Sequence, residues 1–225
     1  MIDVNLVWII SLVLIAAITA ILVVTGIISY KMNNNEKYSF LRHFPHELSY
    51  KDSPNRRRHL VFVFIYVFMF YSILWNTLPF ITEFKSFAGL VVVEALFAVV
   101  TSLSFLAINI VEAKYVRQHT LVATLYMTGS FGMVMMTGVF SVLLFTINRS
   151  SSSLTVGVFS FLLAILQILV ILNPRLKDWA KLDSKRSDSG EITYSRPKLF
   201  PLAYSEWLTF VISTLGLILF LFAII

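Results

Sequence analysis

Few side chains in this sequence could do chemistry, and the one in the strangest place is Glu94. It stands about eight residues inside an apolar run, with Thr101 and Glu112 on its helical face and Ser102 and Asn109 alongside. A charge at that depth costs about 3 kcal/mol on insertion scales, so the carboxyl must face other helices and be protonated or hydrogen-bonded. Orientation places Ser72, Asn76, Thr137, Ser141 and Ser160 in its layer. Two roles fit: a cation or proton site on a transport path, and a protonated glutamate that ties helices together.

The four histidines, His43, His46, His59 and His119, fall in or beside the basic loops. His43, Pro45, His46 and Glu47 come close to a zinc protease motif, but the position four after His46 is Tyr50 and the proline spoils the helix that motif needs. The pair reads as solvated loop residues, and no metal site is expected. Met127, Met133, Met135 and Met136 sit beside Gly129, Gly132 and Gly138 and read as adaptable packing, because no cysteine accompanies them to hold a soft metal. The inventory for proteolysis inside the membrane is incomplete: no span contains an aspartate, and none offers a histidine to activate Ser130. Phosphate-loop and dinucleotide glycine patterns are absent, so no cofactor is expected. An enzyme acting on lipid or polyprenyl phosphate with Arg56, Arg57, Arg58, Glu112, Arg117 and Glu206 is the enzymatic alternative to a non-enzymatic protein.

The elements that must position these residues are apolar helices. The chain has 225 residues, is 58% hydrophobic and 13% charged, and has a mean hydropathy of +0.82. A soluble domain carries about twice that charge. Apolar runs at 4–30, 60–80, 87–111, 121–147, 154–172 and 203–225 predict a single all-α membrane domain of six transmembrane helices. The second run alternates aromatics, but the residues between them are apolar too, which argues against a membrane β-strand.

Of the 18 Lys and Arg, seven, two and seven fall in the first, third and fifth loops. Basic loops stay on the cytoplasmic side, so both termini are expected outside and loops 31–59 and 173–202 inside, in a plasma membrane. Trp8 and Trp75 then fall near outer helix ends, and Trp179 and Trp207 at the inner face. No basic residue precedes the first helix, so it is expected to insert uncleaved. The net charge of +6 is thus spent on orientation and anionic headgroups, with Arg56, Arg57 and Arg58 as the headgroup contacts, and nucleic acid is not expected as a partner.

Small and hydroxyl residues repeat along three helices. Gly157, Ser160, Ala164 and Gln167 form one row, Glu206, Thr209, Ser213 and Gly216 a second, and Thr120, Thr124, Thr128 and Gly132 a third. Such rows let backbones approach closely. Ala16 and Ala20 add a pair on the first helix that suits contact with another membrane subunit. Two functions follow as expectations: a non-enzymatic membrane subunit or assembly partner, and a small transporter or channel centred on Glu94, Thr101, Asn76 and Ser160.

Overall fold

A computed structural model of the chain describes residues 4–34, 37–49, 56–83, 88–178, 183–186 and 192–223, with side chains described for 9–32, 37–48, 56–70, 88–178 and 196–223. Six long helices follow one another: α1 (Val4–Asn34), α2 (Arg56–Glu83), α3 (Ala88–Ile110), α4 (Val116–Asn148), α5 (Ser151–Ile171) and α6 (Pro201–Ala223). Among the described residues, five of them, α1 and α3 to α6, are long and apolar enough to cross a membrane. The expected sixth span falls on α2, whose described side chains end at residue 70.

α4 runs 33 residues, beyond both expected ends. That is about 50 Å of helix against a hydrocarbon core of about 30 Å, so it projects from the apolar layer or tilts within it. It ends where Arg149 turns left-handed, with φ 52° and its N–H on the carbonyl of Phe145, and α5 begins two residues later. The all-helical expectation holds for the bundle. The fifth loop adds an antiparallel ribbon, β1 (Asp183–Arg186) and β2 (Ile192–Ser195), in register Asp183 to Ser195 and Arg186 to Ile192. Ile192, Thr193 and Tyr194 are residues that favour strands.

α4 is the hub, packed on α3, α5 and α6. The glycines make this possible. A Cβ on Gly132 would overlap the Phe97 ring, one on Gly129 would stand 2.9 Å from Thr101 Oγ1, one on Gly157 2.9 Å from Val142, and one on Gly216 3.0 Å from Val134. At Gly129, Gly132, Gly157 and Gly216 the helices α3, α5 and α6 thus come close to side chains across their contacts with α4. The core beneath is aromatic: Phe105 lies 5.1 Å from Tyr66, 5.6 Å from Tyr126 and 5.2 Å from Phe210, centroid to centroid, joining α2, α3, α4 and α6.

The third row differs from expectation. Thr124 and Thr128 are exposed, because Thr120, Thr124 and Thr128 donate to the carbonyls of Val116, Thr120 and Thr124 at 2.8 Å. Hydroxyls satisfied within their own helix can face lipid.

Gly132→Val is therefore expected to force α3 off α4 and to cost about 1–3 kcal/mol. Gly89→Ala, with nothing within 4 Å of the added carbon, should leave stability unchanged or slightly raised. Thermal unfolding of the two detergent-solubilised variants by fluorescence-detected size exclusion checks the contrast.

Candidate functional site

Glu94 is buried in α3, and Thr137 of α4 donates to its Oε1 at 2.5 Å, while Oε2 makes no hydrogen bond among the described residues. Thr137 Oγ1 also lies 3.1 Å from the carbonyl of Met133, and Ser141 donates to the Thr137 carbonyl at 2.7 Å. The expected layer is partly assembled. Thr101 is buried but turns to the carbonyl of Phe97 at 2.7 Å and packs against Gly129. Ser160 is buried with no hydrogen bond on its hydroxyl. The side chains of Ser72 and Asn76 lie outside the described residues. Glu112 pairs with Lys114 at 2.6 Å instead of extending the Glu94 stripe.

A second buried carboxyl lies at the other end of the bundle. Glu206 of α6 meets His119 of α4 at 2.9 Å, both side chains fully enclosed, and the other His119 nitrogen is 2.8 Å from the carbonyl of Val111. Among the described residues neither Glu206 oxygen completes a hydrogen bond of acceptable geometry, so the His119 approach is a close polar contact. His119 and Thr137 are eighteen residues apart on α4, about 27 Å of helix.

The interval between them is polar. Gln167 donates to Thr209 at 3.0 Å, Tyr126 and Ser213 share a hydrogen bond of 3.2 Å, Tyr66 and Thr214 one of 2.6 Å, and Ser130 is fully buried without a hydrogen bond on its hydroxyl. Gln167, expected to pack, also carries one of these cross-helix bonds.

The first loop caps this column, which corrects the expectation of solvated histidines. His43, Phe44, His46, Glu47 and Leu48 are all buried, and the turn Pro45–Ser49 packs on α1, α2, α3 and α6. Ser39 N–H donates to His43 Nδ1 at 2.9 Å, closing a tight loop. Tyr38 Oη lies 2.9 Å from the carbonyl of Phe44 and accepts from Trp207 Nε1 at 2.8 Å. Trp207 is thus a buried tie to the first loop and not the interface anchor expected; the side chains of Trp8, Trp75 and Trp179 lie outside the described residues.

Arg196 closes the cap from the fifth loop. Its Nη1 reaches Glu47 Oε1 at 2.5 Å and the carbonyl of Arg42 at 3.4 Å, and Phe200 N–H donates to the carbonyl of Leu41 at 2.7 Å. Phe200 and Leu202 are buried here. His46 stacks on Phe44 and meets His119 edge-on, with ring centroids 5.2 and 5.0 Å apart. Sequence reasoning missed this cap, although Phe44 and Leu48 inside a hydrophilic loop are the apolar signal of a segment that folds inward.

Burial sets the cap's ionisation. It pushes Tyr38 well above its usual value, with the Glu47 charge adding to the effect, so the phenol is a neutral donor. It raises Glu47 too, against the pull of Arg196. His46 falls to about 3, chiefly through burial and then through His119 and Arg196 nearby. His46 Nε2, 3.4 Å from the N–H of Ala113, then serves as an acceptor. Among the described residues no group of three His, Asp or Glu could hold a metal.

Fold and site together define a polytopic helical membrane protein with a capped, buried ionisable column. No known protein family, curated protein or solved structure matches the chain.

Unfolded His46 takes a proton near 6.5 and docked His46 only near 3, so its contribution to docking is fully present above 6.5 and is lost as pH falls toward 3. One unit below 6.5 the loss is about 1.4 kcal/mol. Glu47, raised by burial, shifts stability in the opposite sense, so His46→Gln isolates the histidine's part. Hydrogen-exchange protection factors for residues 39–47 should fall about tenfold per unit below 6.5 in wild type and lose that component in His46→Gln. Identical profiles would remove His46 from the cap's pH response.

Proposed function

We propose that the protein moves protons or small monovalent cations through the α3, α4 and α6 column, without covalent chemistry, as a six-span plasma-membrane protein with both termini outside. One observation carries this reading: two buried carboxyls, Glu94 and Glu206, stand at opposite ends of a row of buried hydroxyls, and among the described residues Glu94 Oε2 and both Glu206 oxygens complete no hydrogen bond. Ionisable groups are kept inside membrane bundles at a cost, and proton relays are built from such acid, histidine and hydroxyl chains. The His119 contact gives the inner carboxyl a partner that can hold or pass a proton. The apolar run at 60–80 supports α2 as the sixth span, and the alternation of basic loops supports the orientation.

In vesicles containing a pH-sensitive dye, the purified protein should dissipate an imposed proton or potassium gradient. Glu94→Gln and Glu206→Gln should each return the flux to that of empty vesicles, with the folded fraction checked by size exclusion. If Glu94→Gln keeps its flux and only lowers the unfolding temperature, Glu94 is structural. A reporter active only outside the cytoplasm should be silent when inserted after Ala113, between α3 and α4, and active after Arg149, between α4 and α5. The reverse pattern would invert the topology.

A second reading, a membrane subunit or assembly partner, is favoured by α1. Its apolar window is only 17% buried, against 67% in α6, and Ala16 and Ala20 both lie on its exposed surface. Absence of flux from well-folded protein would favour this reading.

A further inference from the structure

Between the C-terminal part of α1 and the first turns of α2 lies a cleft of about 420 Å³ lined by Thr25, Ile28, Ser29 and Met32 of α1 and by Arg58, His59 and Phe62 of α2. Its chemistry is divided. Arg58 is exposed at the start of a 28-residue helix, where the first-turn N–H groups also favour an anion. His59 is 3% exposed; its ring approaches Asn109 of α3, but among the described residues neither nitrogen completes a hydrogen bond of acceptable geometry. Its place is fixed by close packing: a Cβ on Gly26 would stand 3.2 Å from His59 Cε1 and 2.8 Å from Leu48 Cδ1. The other walls are apolar and open outward, with Ile28 54% and Met32 73% exposed.

We infer that this cleft binds one anionic phospholipid from the leaflet that meets the basic loops, its phosphate held by Arg58 and His59 and an acyl chain lying along Ile28, Met32 and Phe62. A free phosphate would gain nothing from the apolar walls, whereas a lipid needs both halves of the cleft. Charge-assisted bonds to the phosphate supply the polar part, and the buried imidazole gains the partner it lacks. The site is narrower than the general attraction expected of Arg56, Arg57 and Arg58, because only Arg58 of the three lines the cleft.

The test is native mass spectrometry of the full-length protein released from nanodiscs made with dioleoylphosphatidylglycerol or with dioleoylphosphatidylcholine. Wild type and Arg57→Ala should each retain one phosphatidylglycerol more than they retain phosphatidylcholine. Arg58→Ala, whose side chain is exposed and whose unfolding temperature should match wild type, should retain about tenfold less, equivalent to ~1.4 kcal/mol. His59→Gln, which keeps an N–H donor, should retain an intermediate amount. Equal retention by Arg58→Ala and wild type, equal loss in Arg57→Ala and Arg58→Ala, or equal retention of the two lipids would each overturn the site.

Discussion

A carboxyl group inside a helix bundle in lipid has no water to turn to, so the helices that enclose it must supply its hydrogen bonds. Two such groups shape this protein. Glu94 of α3 takes its bond from Thr137, and Glu206 of α6 meets His119. Both partners stand on α4, which must lie against α3 and α6 along nearly its whole length. Glycine is the means: Gly129 and Gly132 let α3 approach, Gly216 admits α6, and Gly157 brings in α5. The hub position of α4 thus follows from polar satisfaction as much as from apolar packing, because a bulkier helix would strand both acids.

The cap over the His119–Glu206 end of the bundle obeys the same constraint. A loop buried among helix ends carries backbone groups that need partners. Here they come from side chains spread across the sequence: Tyr38 and Trp207 serve the carbonyls of His43 and Phe44, and Arg196 reaches the carbonyl of Arg42 while pairing with Glu47. The Arg196 guanidinium also lies 6.0 Å from the Phe44 ring and 5.8 Å from the Phe200 ring, so its charge is spread over two aromatic faces. First loop, fifth loop and the start of α6 therefore close as one unit.

The helices and the depth of Glu94 were legible in the sequence because both are local properties. A run of apolar residues declares a span, and an acid within it declares a problem. The rows on α5 and α6 were legible for the same reason: Ser160, Gln167, Thr209 and Ser213 repeat at helical spacing and are buried. Less was readable where the partner is distant in the chain. His119 and Glu206 are 87 residues apart, and Glu47 and Arg196 are 149 apart. Nothing in either neighbourhood names the other. Composition misled as well: loop 31–59 is hydrophilic on average, and that average hid Phe44 and Leu48, which carry it inward. The threonines of α4 misled in the opposite direction, since helical spacing alone does not reveal that a hydroxyl has already spent its proton on its own helix.

The cap also constrains how the proposed column could work. Glu206 and His119 are fully enclosed, and the residues around them include His46 and Phe44 from the cap. In the proposed column a proton or cation arriving from the capped side must therefore pass the cap or wait for it to lift. Lifting it separates Glu47 from Arg196 and exposes both to water, where an ion pair of this kind is worth little, so the cost of opening lies mainly in the apolar contacts of Phe44, Leu48 and Trp207. A barrier made of apolar contacts has little dependence on salt. The histidine in it makes the same barrier sensitive to acid, because a protonated His46 cannot remain between Phe44 and His119 without water. In the proposed column the arrangement joins an apolar gate to a titratable latch beside Glu206, so acid on the capped side would loosen the gate and supply the proton in the same event.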